Sequence, residues 1–299
     1  MASLSRKTAV FIVWGGFATL FVGALWHQAN VVSGFVALGI TAVMGIWFFQ
    51  EWHRDPKTSH RWDGLYFSLG AGITLWLSHG TPLDPIASAS LMGFIAALGF
   101  KKAETPLYAG AFLGMSSAFF MTPLTLTVTV FGGGMFYALS APFFQGLGGK
   151  LGFLAWMTAV SAALFLRHPL MGEAPVVSWI GLWILNSGVI VMMAVLVQRA
   201  SMSSVLASSM MGLALAGAVA VFPSLAVYGT AAFGASFVGM SSTQRLPFNA
   251  AILLASSVYT VIFVLLLPYF PGLGGKLGAM AFVSTALTFT TLQKTINTT

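Results

Sequence analysis

Hydrophobic residues follow one another in long runs along this chain, and glycine, proline, asparagine or charged residues separate the runs. Most runs are continuous rather than alternating, and several approach the ~20 residues that a helix needs to cross a bilayer. The pattern predicts twelve helical segments. They lie at 8–26, 31–50, 63–78, 84–100, 106–121, 124–144, 151–167, 177–198, 202–222, 228–242, 248–268 and 277–293.

Two glycine-rich segments, 106–121 and 228–242, are shorter than an upright crossing requires. They are interpreted either as short spans or as half-helices that stop inside the membrane. The expected number of transmembrane segments is therefore 10 to 12.

Composition places the chain in the membrane. Of its 299 residues, 58% are hydrophobic and only 6% are charged, and the mean hydropathy is +0.90. A soluble domain carries about 25% charged residues, so we predict an all-α integral membrane protein.

The chain has no cysteine, which excludes disulfides and thiolate metal sites. Its net charge of +7 is spread between apolar runs and forms no patch for nucleic acid.

The positions of lysine and arginine predict an orientation, because these residues stay on the cytoplasmic side of spans. With Arg6 and Lys7 inside, twelve crossings leave only Arg167 and Lys276 outside. Both termini are then cytoplasmic in a multi-pass protein of the plasma (inner) membrane. The segment 8–26 is interpreted as a retained span, with a removed signal peptide as the alternative. The inner connections carry Arg54, Lys57, Arg61, Lys101, Lys102, Lys150, Arg199, Arg245 and Lys294.

The chain also repeats itself. GLGGKLG occurs at 146–152 and again at 272–278. GAFLGMSS at 110–117 returns as GASFVGMSS at 234–242. The glycine of each GMSS precedes the following GLGGKLG by 32 residues in the first copy and by 33 in the second. Two matches in the same order, with spacings that differ by one residue, indicate duplication.

The duplication divides the chain into a two-span prefix, 1–62, and two five-segment repeats, 63–167 and 177–293. An odd number of crossings requires the second repeat to enter the membrane the other way up, so inverted repeats are predicted. If the short segments are re-entrant, each unit crosses four times and the repeats are parallel. The inverted plan resembles that of many transporters and channels, urea channels among them, as an analogy of fold alone.

Candidate chemistry rests on small polar residues. The acidic residues all lie in connections or at segment ends, which disfavours transport coupled to a buried carboxylate. The GMSS phrases instead offer hydroxyls at the ends of the short segments, where a half-helix needs partners for its backbone. The predicted substrate-binding residues are Gly114, Ser116, Ser117, Thr122, Thr125, Thr129, Gly239, Ser241, Ser242 and Asn249.

Structural roles compete with these assignments. Small residues also permit tight helix packing, and Ser or Thr often bonds to its own helix backbone. The glycines of GLGGKLG could form an anion-binding nest beside Lys150 or Lys276, but an interfacial turn with a snorkelling lysine is preferred. Arg245 is interpreted as a topology marker, and Asn186 either as a bridge between helices or as a lining group.

The expected function is transport. HExxH, G-x-S-x-G and Walker motifs are absent from the sequence, so we predict no enzyme activity, no cofactor and no metal site. We expect a transporter or channel that moves a small polar solute, neutral or anionic, between the two repeats. The alternative is a non-transporting scaffold or subunit of a membrane complex, in which the 14% of aromatic residues serve interfaces. The expected partners are the lipid bilayer and the solute, and a homo-oligomer is left open.

Overall fold

The described part of the chain is helical. The computed structural model describes residues 60–117, 123–166, 171–173, 175–248 and 250–298. Within these ranges the chain forms no strand, and an isolated bridge joins Met171 to Tyr269. The all-α prediction is therefore confirmed for the described residues. The predicted spans 8–26 and 31–50 of the prefix lie outside them.

Ten α-helices form in these ranges. They are α1 Asp63–Gly80, α2 Pro85–Gly99, α3 Glu104–Gly114, α4 Pro123–Ser140, α5 Lys150–Phe165, α6 Trp179–Ala194, α7 Ser204–Val221, α8 Ala226–Gly239, α9 Ala250–Leu266 and α10 Lys276–Thr298. A π-helical turn, Val195–Arg199, continues α6, and a 3-10 turn, Pro223–Leu225, precedes α8.

Several helices begin where local chemistry favours a start. At α2, Asp84 Oδ1 accepts a hydrogen bond from Ala87 N at 2.6 Å, and Pro85 occupies the first helical turn. At α6, Ser178 Oγ accepts from Gly181 N at 3.3 Å. Both are side-chain caps that satisfy backbone donors left free at a helix start.

The helices α3 and α8 are short. The first has 11 residues and the second has 14, which at 1.5 Å per residue gives lengths of about 16 and 21 Å. Their ends at Gly114 and Gly239 come earlier than the predicted ends at 121 and 242. Neither helix matches the ~30 Å thickness of a bilayer core. Both end inside the protein, because Ser116 and Ser241 are fully buried.

The two halves of the described chain pack in matching ways. In the first half α1 packs against α3 and α4, and in the second half α6 packs against α8 and α9. The pairs α2–α3 and α4–α5 likewise correspond to α7–α8 and α9–α10. The contacts between the halves are made largely by α2 with α7 and by α5 with α10, which are equivalent helices by position.

Equivalent helices cross in opposite directions. A Cβ at Gly149 would lie 2.8 Å from the Cβ of Ala281, and one at Gly152 would lie 2.8 Å from the Cα of Gly278. Successive residues along α5 therefore contact residues of decreasing number along α10. The helices run antiparallel where they touch, close to the beginning of each.

Among the residues that the structure describes, two helical stretches pass the length and hydropathy requirements for a membrane span. They are Trp179–Arg199, with a mean hydropathy of 2.3, and Ser204–Val221, with 1.9. Shorter apolar helices are Pro85–Gly99, Leu126–Ser140, Lys150–Leu164 and Ala250–Leu266. Twelve crossings stay a prediction.

Candidate functional site

Each GMSS phrase contacts the GLGGKLG phrase of the other half. Ser116 Oγ accepts a hydrogen bond from Gly274 N at 3.0 Å, and Ser241 Oγ accepts from Gly148 N at 3.1 Å. Both serines are fully buried. We call this paired arrangement, formed by residues 114–117 with 272–275 and residues 239–242 with 146–149, the crossed clasp.

Backbone hydrogen bonds repeat the same exchange. Ser117 N donates to Gly272 O at 2.8 Å, and Ser242 N donates to Gly146 O at 2.9 Å. Two bonds of the same type therefore occur at equivalent positions on both sides of the crossed clasp. The duplicated phrases of the sequence are the two faces of one interface.

Close packing and backbone conformation at this interface explain why GLGGKLG contains several glycines. A Cβ at Gly148 would lie 2.6 Å from Ser241 Oγ, and one at Gly274 would lie 2.7 Å from Ser116 Oγ, so a larger residue would displace the serine. Two residues of the phrases, Gly149 and Gly275, precede α5 and α10 with φ angles of +78° and +81°. Residues with a side chain rarely adopt this left-handed conformation.

Polar side chains outside the two phrases close the ends of α3 and α8. His79 Nε2 lies 3.0 Å from the carbonyl oxygen of Ser116. Gln198 Nε2 donates to the carbonyl oxygens of Ser241, at 3.1 Å, and Leu246, at 3.0 Å. His79 and Gln198 each lie one residue before the end of the first helical stretch of their half. Sequence reasoning missed them, although a polar residue at the end of both first segments was a readable signal.

The two lysines of the duplicated phrase differ in their surroundings. Lys150 is only 8% exposed, and its ammonium donates to Ala141 O at 2.6 Å and Phe143 O at 3.0 Å. Lys276 is partly exposed and donates to Leu267 O at 3.1 Å. Lys150 therefore holds its own loop and does not reach the surface as a snorkelling anchor would.

Four of the predicted substrate-binding residues make packing or hydrogen-bonding contacts inside the protein. Ser116 and Ser241 use their hydroxyls inside the crossed clasp, which is the packing role that competed with solute binding in the sequence. Gly114 packs closely on α1, where a Cβ would lie 2.8 Å from the Cβ of Thr74. Gly239 packs on α6, where a Cβ would lie 2.8 Å from Ile190 O.

The predicted threonine stripe is described only in part. Thr129 is 4% exposed on α4. Thr122 and Asn249 lie outside the described residues, and Thr125 belongs to α4 without a described side chain. The role of the ten predicted residues in binding a solute therefore stays a prediction.

Asn186 bridges two helices. Its Nδ2 donates to Thr260 Oγ1 on α9 at 3.0 Å, and the neighbouring Ser187 hydroxyl lies 2.7 Å from Ser256 Oγ. Both Ser256 and Thr260 are buried. These residues form a polar seam between α6 and α9, which is the bridging role considered for Asn186.

A third repeated motif was not recognised from the sequence. SLMG at 90–93 on α2 corresponds to SMMG at 209–212 on α7. Ser90 lies over Gly212, and Ser209 lies over Gly93, so these helices also cross antiparallel. Both serines are fully buried, and the adjacent Tyr108 and Ser208 hydroxyls are 3.0 Å apart. The phrase marks the second contact between the halves.

Arg245 also joins the halves. It is only 6% exposed, and its Nε donates to Gln145 O at 3.1 Å. Its guanidinium carbon lies 5.0 Å from the ring centre of Phe289, within cation–π range. The interpretation of Arg245 as a topology marker gave no hint of this burial.

A cavity of about 320 Å³, called here the loop cavity, opens beside the second GLGGKLG phrase. Its wall contains Lys276 and Thr230 among mainly apolar groups. A second cavity of about 360 Å³ shares part of this wall, including Thr230, and reaches Asp84. Five phenylalanines that are at most 2% exposed adjoin the loop cavity, namely Phe112, Phe233, Phe237, Phe263 and Phe270.

The clasp serines support a direct stability test. Ser116→Ala or Ser241→Ala leaves the buried N–H of Gly274 or Gly148 without its acceptor, so each is expected to destabilise the fold by about 1–3 kcal/mol. Ser161→Ala is the control, because Ser161 is exposed on α5 and, within the described part of the chain, its hydroxyl donates to Met157 O of its own helix. Chemical unfolding in detergent measures the differences. Equal stability of all three variants would contradict the assignment.

Comparisons with known proteins add no relative to these observations. No protein-family model, curated protein or solved structure matches the chain.

Proposed function

We propose that the protein is a multi-pass membrane transporter or channel that moves a small polar solute between two inverted five-segment repeats. The observation that carries the proposal is the antiparallel crossing of the equivalent helices α5 and α10 beside the crossed clasp. Inverted repeats with interrupted helices at their interface are a recurrent plan of transporters, in which the solute binds at that interface.

The contacts favour inverted over parallel repeats. In a parallel duplication, equivalent helices would run in the same direction across the axis that relates the halves. Here α5 and α10 run in opposite directions, and so do α2 and α7. An axis perpendicular to these helices relates the two halves, and for helices that cross the bilayer such an axis lies in the membrane plane.

Apolar outer surfaces support a membrane environment. Large side chains such as Met135, Trp76 and Ile180 are 71%, 66% and 73% exposed on α4, α1 and α6. Soluble monomers rarely expose extended apolar surface, whereas lipid tails accept it. Together with the charge pattern, this supports a plasma (inner) membrane protein with both termini in the cytoplasm.

A flux assay tests the proposal. Full-length protein reconstituted into liposomes is expected to accelerate uptake of at least one member of a panel of amides, organic acids, inorganic anions and amino acids. Liposomes without protein and liposomes with heat-denatured protein are the controls. If no member of the panel moves faster than in the controls, the transport proposal is overturned. A stoichiometric co-purifying partner in that case would favour the scaffold alternative.

A further inference from the structure

We propose that the loop cavity binds a small apolar carboxylate and that the Lys276 ammonium pairs with its anionic group. The inference rests on the proposed function for its role in transport, because it narrows the anionic form of the expected small solute to a carboxylate with a short hydrocarbon body. As a statement about binding, it depends only on the cavity and its lining residues.

The shape and lining of the cavity favour a mostly apolar ligand. Its volume of about 320 Å³ falls at the lower end of the range for small-molecule sites. The apolar lining residues with accessible surface include Met115, Val227, Leu267 and Leu277, whose side chains offer no N–H or O–H donor, whereas the five phenylalanines beside the cavity are at most 2% exposed. Such a wall accepts a short aliphatic or aromatic body beside the anionic group.

Lys276 gives the loop cavity a positive charge. It is the charged residue in the lining, and among the described residues it donates to one acceptor, Leu267 O. An ammonium has three N–H donors, so two remain for a ligand. A carboxylate can accept both, and a charge-assisted bond of this kind is stronger than a neutral one.

The duplicated lysine provides an internal contrast. Lys150 occupies the same position in the first phrase but is 8% exposed and donates to two loop carbonyls. Lys276 is less buried, makes one such bond and faces the loop cavity. The two copies have therefore diverged in local structure, with one lysine enclosed and the other accessible to a ligand.

The other polar groups nearby do not compete for a carboxylate. The Thr230 hydroxyl donates to Ala226 O at 2.8 Å in its own helix. Asp84 lines the adjoining cavity, is exposed and accepts a hydrogen bond from Ala87 N. A cation would meet the Lys276 charge in the loop cavity, so an anionic head on an apolar body is the ligand class that fits.

Binding of benzoate and of its neutral isostere benzamide tests the inference. Purified full-length protein in detergent is titrated with each compound by calorimetry. Benzoate is expected to bind at least about tenfold more tightly than benzamide, since the amide lacks the charge-assisted bond. Lys276→Met is expected to remove this preference, and Lys276→Arg is expected to retain it.

A second variant keeps the test decisive if Lys276→Met does not fold. Thr230→Leu fills the cavity while Lys276 stays in place, and it is expected to weaken benzoate binding by about tenfold or more. Equal affinity of the unmodified protein for benzoate and benzamide would overturn the inference, as would unchanged benzoate binding in folded Lys276→Met. Binding of neither compound, as when a detergent or lipid chain occupies the cavity, also counts against it.

Flux measurements distinguish failure of this inference from failure of the proposed function. Benzoate binding without any flux contradicts transport and leaves the site standing. Carboxylate flux that is unaffected by Lys276→Met contradicts the site and leaves transport standing.

Discussion

Alanine in place of Gly149 or Gly275 is expected to destabilise the protein by about 2–5 kcal/mol, since a left-handed residue with a Cβ costs about 1–2 kcal/mol and overpacking adds about 1–3. Both residues have φ near +80°. A Cβ at Gly149 would lie 2.5 Å from Phe282 N, and one at Gly275 would lie 2.6 Å from Trp156 N. These neighbours are backbone atoms of the opposite half and cannot rotate away.

Gly188→Ala is the matched control. Gly188 is exposed on α6, and a Cβ there would meet nothing within 4 Å. Its replacement is expected to change stability by less than about 1 kcal/mol. Thermal or chemical unfolding in one detergent compares the three variants. If Gly149→Ala and Gly275→Ala are as stable as Gly188→Ala, the crossed clasp is wrong.

A disulfide between the halves is the second expected result. Because the chain has no cysteine, the pair Gly146→Cys and Ser242→Cys introduces the only two thiols. A Cβ at Gly146 would lie 3.2 Å from the Cβ of Ser242, slightly closer than the 3.5–4.5 Å of disulfides, and the φ of +79° at Gly146 adds a strain of about 1–2 kcal/mol to a cysteine there. Mild oxidation is therefore expected to link most of the protein across the crossed clasp.

Cleavage between the halves makes the link visible. A protease site inserted after Val176, which is fully exposed, lets the two halves separate on a denaturing gel unless the disulfide joins them. The control pair Gly188→Cys and Ser242→Cys is expected to leave them separate. Separation of the halves in the oxidised Gly146→Cys and Ser242→Cys protein would show that the two phrases do not meet.

The link also reports on mechanism when it is combined with the flux assay. A transporter that rocks one repeat against the other at this interface would lose flux on oxidation and recover it on reduction. A channel whose halves stay fixed would keep its flux.

Much of the architecture was predictable because hydrophobic runs and repeats are local properties of the sequence. The predicted segments 63–78, 84–100 and 151–167 correspond to α1, α2 and α5 within a few residues. The segment 106–121 was predicted to extend beyond the last helical residue, Gly114, because the apolar residues AFFM follow GMSS at 118–121. Composition does not show where a buried helix end finds its partner.

The role of the repeated phrases was less predictable. GLGGKLG and GMSS were readable as marks of duplication, but their pairing across the halves depends on three-dimensional proximity. Ser116 meets Gly274 across 158 residues of chain, and Ser241 meets Gly148 across 93. The difference between Lys150 and Lys276 was also invisible, since both occupy the same seven-residue phrase.

The crossed clasp has a consequence for synthesis of the protein. Ser116 emerges from the ribosome long before Gly274 is synthesised. Until then, Ser116 Oγ at the end of α3 lacks the Gly274 N–H that donates to it in the folded protein. Contacts this distant in sequence form late and slowly. The first half is then an incomplete insertion intermediate until translation nears its end, and a chain truncated before 272 would be a natural substrate for membrane quality-control proteases.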